Sequence, residues 1–219
     1  MSRLVEVIIA AVASFAATNL DDILILMIFF AQVDNSSFRR RHIIFGQYFG
    51  FFAIILASLP GFFGGLILEK KWIGILGLVP IIIGVSRLIN KRNENEIQAV
   101  SEEFNSSPEN TSMRLILGSV LSPQTYKVAT ITFANGGDNI GIYVPLFASS
   151  NLMSLGVILS VFVVMIGIWC YLAYQLTRHQ AIANILTRRG HHFVPFVLIG
   201  LGIYILIDSG TYQLLIPPK

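Results

Sequence analysis

Thr18-Asn19-Leu20-Asp21-Asp22 and Asn135-Gly136-Gly137-Asp138-Asn139 are polar segments set into otherwise apolar sequence. They align at an offset of 117 residues, which places Thr18 on Asn135, Asp21 on Asp138 and Asp22 on Asn139. In a continuous helix, residues at i, i+3 and i+4 share a face, so each segment is expected to gather its oxygen-bearing side chains. Asp21, Asp22 and Asp138 offer carboxylates, Asn19, Asn135 and Asn139 offer amide oxygens, and Thr18 offers a hydroxyl. Oxygen donors suit Mg²⁺, Ca²⁺ and Mn²⁺ most naturally, and one cysteine is too few for a thiolate site built for copper(I). Gly136-Gly137 is expected to break its helix and turn main-chain carbonyls toward an ion.

A carboxylate at mid-bilayer depth costs roughly 2.5–3.5 kcal/mol on the gentlest insertion scales, so an intramembrane Asp points to function. Three carboxylates also exceed the charge of one divalent ion. At least one is expected to hold a proton when the ion is absent, which makes Asp21, Asp22 and Asp138 the expected proton-coupling residues as well. The plainer alternative is that these groups only bond neighbouring helices. That suits Asn19 or Asn135 singly, but adjacent Asp21-Asp22 is a costly way to make such a bond.

The elements that must position these residues follow from composition. The chain is 219 residues long, 54% hydrophobic and 12% charged, with a mean hydropathy of +0.72. Apolar runs of about 20 residues or more make it an all-α polytopic membrane protein with the lipid bilayer as its solvent. Spans are predicted at about 5–33, 43–68, 72–89, 125–148, 152–176 and 194–216. The first is about 29 residues or roughly 43 Å, too long for a straight crossing, so it must tilt, protrude or break, with Thr18–Asp22 as the natural break. A cleaved signal peptide is the rival reading of the N-terminus, opposed by apolar sequence that resumes after Asp22.

Residues 1–89 form a first three-helix repeat, 90–112 a polar cytoplasmic linker rich in Glu, and 113–219 a second three-helix repeat. Leu115–Leu121 is apolar but too short to span, and reads as interfacial or re-entrant. Loops after spans one, three and five, with Arg87 at the end of the third span and Lys127, carry 11 of the 15 Lys and Arg residues; Arg3, Lys70, Lys71 and Lys219 make up the other 4. The positive-inside rule then sets both termini outside the cytoplasm. An odd number of spans per half inverts the second half relative to the first. Gly50 with Gly167, Pro80 with Pro195 and Gly84 with Gly200 recur at nearly the same offset, so two inverted repeats with interrupted helices 1 and 4 are expected, as in secondary transporters.

Gln47, Ser58 and Asp208 are candidate pathway residues, with Gln47 as readily interfacial. His42, His179, His191 and His192 are expected in cytoplasmic loops as solvated side chains. Trp72, Trp169, Tyr171, Tyr174, Tyr204 and Tyr212 are expected to anchor at the interface or pack, and Glu6 to lie at a helix end. The pI near 9.1 reflects these loop cations and gives no reason to expect nucleic acid. No phosphate-binding Gly-x-x-x-x-Gly-Lys-Ser/Thr loop occurs, so transport must draw on a gradient. The enzymatic alternative, an intramembrane aspartyl protease, is disfavoured because Leu20 precedes Asp21 where a Tyr is wanted and Asn135 replaces the first Gly before Asp138.

Taken with Gly46-Gln47-Tyr48, Gly77-Leu78-Val79-Pro80-Ile81 and the run Ala134 to Phe147, the two polar segments make the chain resemble the cadmium resistance transporter family of the lysine exporter superfamily. The resemblance spans Phe15 to about Leu206 outside the linker. It implies a six-helix exporter of divalent metal, Cd²⁺ and as a second candidate Zn²⁺, in a prokaryotic cytoplasmic membrane, with the two Asp-bearing segments as the metal site. The metal is then substrate, no cofactor is required, and a homodimer stays open beside a monomer. Cys170 is a secondary candidate ligand against plain packing. An amino-acid exporter of the same superfamily is the nearest alternative, disfavoured because clustered Asp residues repel an α-carboxylate.

Overall fold

The computed structural model describes residues 2–33, 39–89 and 122–211, and of Ser2 and 180–191 the backbone alone. The linker expected at 90–112 and the stretch Leu115–Leu121 lie outside the described residues. Among the described residues every regular element is helical: α1 (Ser2–Thr18), α2 (Leu20–Ala31), α3 (Arg40–Ile67), α4 (Lys70–Ile73), a 3-10 turn (Gly74–Gly77), α5 (Leu78–Ile89), α6 (Pro123–Asn135), α7 (Gly137–Ala148), α8 (Leu152–Leu176) and α9 (Gln180–Asp208).

Local sequence accounts for several boundaries. Ser122 caps α6 by accepting from the Thr125 amide, with Pro123 at the first helical position where its missing N–H costs nothing. Asn151 caps α8 through the Ser154 amide at 2.8 Å. Pro80 cannot donate to the Leu76 carbonyl, and the Lys70–Ile89 run tightens into its 3-10 turn just before that proline.

Six spans were expected, and three helical runs are long and apolar enough on their own: α3, Lys70–Ile89 and α8. A fourth arises if α1 and α2, bent by 57°, count as one span. The apolar part of the last helix, His192–Asp208, is shorter. The α6–α7 pair departs from a plain span because α6 carries Gln124, Thr125, Lys127, Thr130 and Thr132. The outer surface is apolar. Phe45, Phe49, Phe52, Phe63 and Ile67 of α3 all face outward, between 47% and 86% exposed, as lipid-facing side chains do. The molecule is a multi-pass membrane protein.

Packing is reciprocal between the two halves of the sequence. Helix α3 lies along both α6 and α7, α8 lies along both α1 and α2, and α5 lies on α9. Glycines set the closest of these approaches. A Cβ at Gly46 or Gly50 would come within 2.5 Å of Val128 Cβ or the Ala129 carbonyl of α6, and one at Gly61 or Gly65 would collide with the main chain at Val144 or Ala148 of α7. Small residues four apart let membrane helices meet backbone to backbone. Gly77 and Gly202 do the same between the 3-10 turn and α9. The repeat-matched glycines are not equivalent in use: Gly84 lies against Pro195, whereas Gly200 has no atom within 4 Å of an added Cβ.

Candidate metal site at two helix breaks

Helices α1 and α2 are separated by a break at Asn19 and α6 and α7 by one at Gly136, positions 117 residues apart. Their backbones match closely, with φ −103° and ψ 14° at Asn19 and φ −79° and ψ 10° at Gly136. Any residue can adopt this region, so the second break does not depend on glycine flexibility. Gly136 is needed for space instead, since a Cβ there would run into the Ile54 side chain. Gly137, expected to share the break, is already the first residue of α7 and has nothing within 4 Å of an added Cβ.

Sharing of a face at i, i+3 and i+4 requires unbroken helix and does not carry across Asn19 or Gly136. Six of the seven expected ligands accordingly sort into three sets. Thr18 and Asn19 meet Asn139 and Tyr143. The Tyr143 hydroxyl lies 2.7 Å from Thr18 Oγ1 and accepts from Asn19 Nδ2 at 3.0 Å, while Asn139 Nδ2 donates to Asn19 Oδ1 at 3.3 Å. Asp22 meets Asn135 and Gln47. Asn135 Nδ2 donates to Asp22 Oδ1 at 2.5 Å, Gln47 Nε2 donates to Asp22 Oδ2 at 3.2 Å, and Thr132 Oγ1 donates to Gln47 Oε1 at 2.6 Å. Asp138 meets Arg87, whose Nη2 lies 2.7 Å from Asp138 Oδ2.

Asp21 and Asp22 are 3% and 4% exposed, so both carboxylates lie inside the protein at the first break. Asp138 differs, with its side chain 44% exposed. No group of three His, Cys, Asp or Glu side chains converges among the described residues, so Asp138 does not join Asp21 and Asp22 in this arrangement. What the two breaks do bring together across the halves is one carboxylate, Asp22, with amide and hydroxyl groups of α3 and α6. Beside it, a neutral polar set joins Thr18, Asn19, Asn139 and Tyr143.

Beneath the breaks an aromatic cluster holds the backbone. Tyr143 and Phe162 have centroids 4.7 Å apart, Phe15 and Phe51 5.2 Å, and Phe15 and Trp169 5.3 Å. Trp169 Nε1 also donates to the Asn19 carbonyl at 2.7 Å.

Gln47 is buried and bonded to Asp22 rather than interfacial. Ser58 is buried and donates to the Ile54 carbonyl of its own helix. Asp208 is exposed and lines a cleft with Arg3, Ser150, Ser154 and Tyr204 that contains none of the seven expected ligands. Cys170 is buried in the hydrophobic core. His42 Nδ1 accepts from the Arg39 amide at the start of α3, His179 and His192 are exposed, and the His191 side chain lies outside the described residues. Three contributors were not anticipated: Tyr143, Thr132 and Arg87. Tyr143 carried a signal, since Asn135, Asn139 and Tyr143 repeat every four residues; Arg87 had been accounted for as an orientation signal.

A family model described as cadmium resistance transporter matches residues 15–217 of the chain. No curated protein matches it, and no solved structure matches it.

Proposed function

The chain belongs to the cadmium resistance transporter family, and from that premise we propose that it exports Cd²⁺, with Zn²⁺ as a second substrate, in exchange for protons. Membership supports metal export, and the buried Asp22 supports the location of the site. This carboxylate lies at one helix break and is held by Asn135 at the other, so a single group joins the two halves where alternating access would have to act.

In this reading Asp21 and Asp22 supply most of the charge that replaces the ion's hydration. Thr18, Asn19, Asn135 and Asn139 supply neutral oxygens, and Asp138 completes the set when the halves rearrange. The amide donors now on Asp22 belong to side chains that also carry an acceptor oxygen, which rotation can turn to an ion. The matched breaks at Asn19 and Gly136 and the reciprocal packing of α3 and α8 support six spans built as two inverted halves. The basic-loop imbalance supports a cytoplasmic-membrane location with both termini outside. Proton exchange follows from charge, because buried neighbouring carboxylates that lose a divalent ion are expected to take up a proton.

Everted vesicles test the proposal. Cd²⁺ transport is expected to accelerate with an imposed pH gradient and to fall strongly in Asp22→Asn and Asp21→Asn proteins of normal abundance. Transport at the wild-type rate in both variants sinks the site, and rates indifferent to collapse of the pH gradient sink the exchange.

A further inference from the structure

We infer that Arg87 is a tethered stand-in for the cargo's positive charge, which a metal ion must displace from Asp138 before that carboxylate can join the site. The inference rests on the reading of Asp21, Asp22 and Asp138 as the metal-binding carboxylates.

The two breaks treat their carboxylates differently. Asp22 receives neutral amide donors from Asn135 and Gln47. Asp138 receives a guanidinium at 2.7 Å. An amide can rotate to present an oxygen to an ion, but Arg has five N–H donors, no acceptor and a charge that persists at every physiological pH. A divalent ion approaching Asp138 therefore meets repulsion from Arg87, and the two cations compete for one carboxylate.

Placement suits such a competitor. Arg87 lies in the last turn of α5, where helix carbonyls favour a cation, and its side chain is only 15% exposed. Helix α5 is held on α9 near Gly84, whereas Asp138 opens α7, which is held on α3. The ion pair thus adds to the contact that α5 already makes with α7, and it is one that metal binding can exchange.

Cd²⁺ binding to the full chain purified in detergent tests this with wild type, Arg87→Gln, Arg87→Lys, Asp138→Asn and the Arg87→Gln/Asp138→Asn double variant. Arg87→Gln is expected to bind Cd²⁺ up to roughly fivefold tighter, the range set by a partly exposed ion pair. Arg87→Lys, which keeps the charge, is expected to bind close to wild type. Asp138→Asn is expected to bind more weakly, with no further change from adding Arg87→Gln. Arg87→Met serves as the neutral variant if Arg87→Gln does not fold, because it keeps an apolar stem. Unchanged or weaker binding in the neutral variants, or the same gain with Asp138 already replaced, overturns the inference. In that case Asp22→Asn separates the causes: lost binding there leaves the metal site standing and removes only the role of Arg87, whereas wild-type binding by both Asp22→Asn and Asp138→Asn removes the site itself.

Discussion

The indole N–H of Trp169 in α8 donates to the main-chain carbonyl of Asn19 at 2.7 Å, tying a helix of the second half to the backbone of the first helix break. The same ring packs edge-on against Phe15 one turn before the break. Trp169→Phe keeps a smaller aromatic ring and removes the donor. It is expected to cost about 1 kcal/mol, lowering the melting temperature of the purified protein by about 2–4 °C, and to reduce Cd²⁺ efflux severalfold. Efflux and melting both equal to wild type would falsify a role for this bond in holding the break.

Asp22 depends on a relay of donors from α6 through α3: Thr132 to Gln47, then Gln47 to Asp22. Thr132→Val removes the first donor and leaves a buried amide oxygen to be satisfied otherwise, at a cost of about 1–3 kcal/mol. Gln47→Glu replaces a donor with a second carboxylate facing Asp22. Efflux is expected to fall modestly in Thr132→Val and to near background in Gln47→Glu at neutral pH. The opposite ranking would show that Gln47 acts as a spacer.

Glycine substitutions should separate close approach from backbone flexibility. Gly137→Ala fills open space at the start of α7 and is expected to leave expression and efflux unchanged. Gly61→Ala pushes a methyl into the main chain at Val144, which cannot move aside as a side-chain tip can, and is expected to cost about 1–3 kcal/mol. Size-exclusion profiles and thermal melts of the two proteins decide the point, and a destabilised Gly137→Ala protein contradicts it.

Orientation is open to direct labelling. Cysteines introduced singly at Arg40, Asn105 and Arg189 are expected to stay unlabelled by an impermeant thiol reagent in intact cells, and those at residues 2 and 219 to react. Reaction at Asn105 with none at the termini reverses the topology. Native Cys170 is buried, so its background is expected to be low.

Much of this arrangement was legible in the residues. An apolar segment too long for a straight crossing, interrupted by Thr18–Asp22, located the first break, and the 117-residue offset located the second to within one residue. The split into separate polar sets was not legible, because face-sharing was counted along helices that are interrupted at the positions being counted. Gln47 looked interfacial from its distance to the end of its span, yet α6 covers it and turns it toward Asp22. Thr132 resembled any threonine of a polar helix until α3 came against it through Gly50. Arg87 was masked by a sufficient explanation: a cation at a helix end satisfies the positive-inside rule, and nothing in one dimension reveals a carboxylate 51 residues away.

The glycine-lined contact of α3 with α6 and α7 separates kinship in sequence from kinship in motion. In the sequence α3 follows α1 and α2, yet its closest backbone neighbours are α6 and α7 of the other half, and α8 returns the exchange against α1 and α2. A seam made of main chain has few side chains to re-pack, so it resists sliding and favours moving as a block. A carrier cut along these seams would rock as α3–α6–α7 against α1–α2–α8. The dividing surface would then pass between the Asn19 and Gly136 breaks, opening the bond from Asn135 to Asp22 on every cycle.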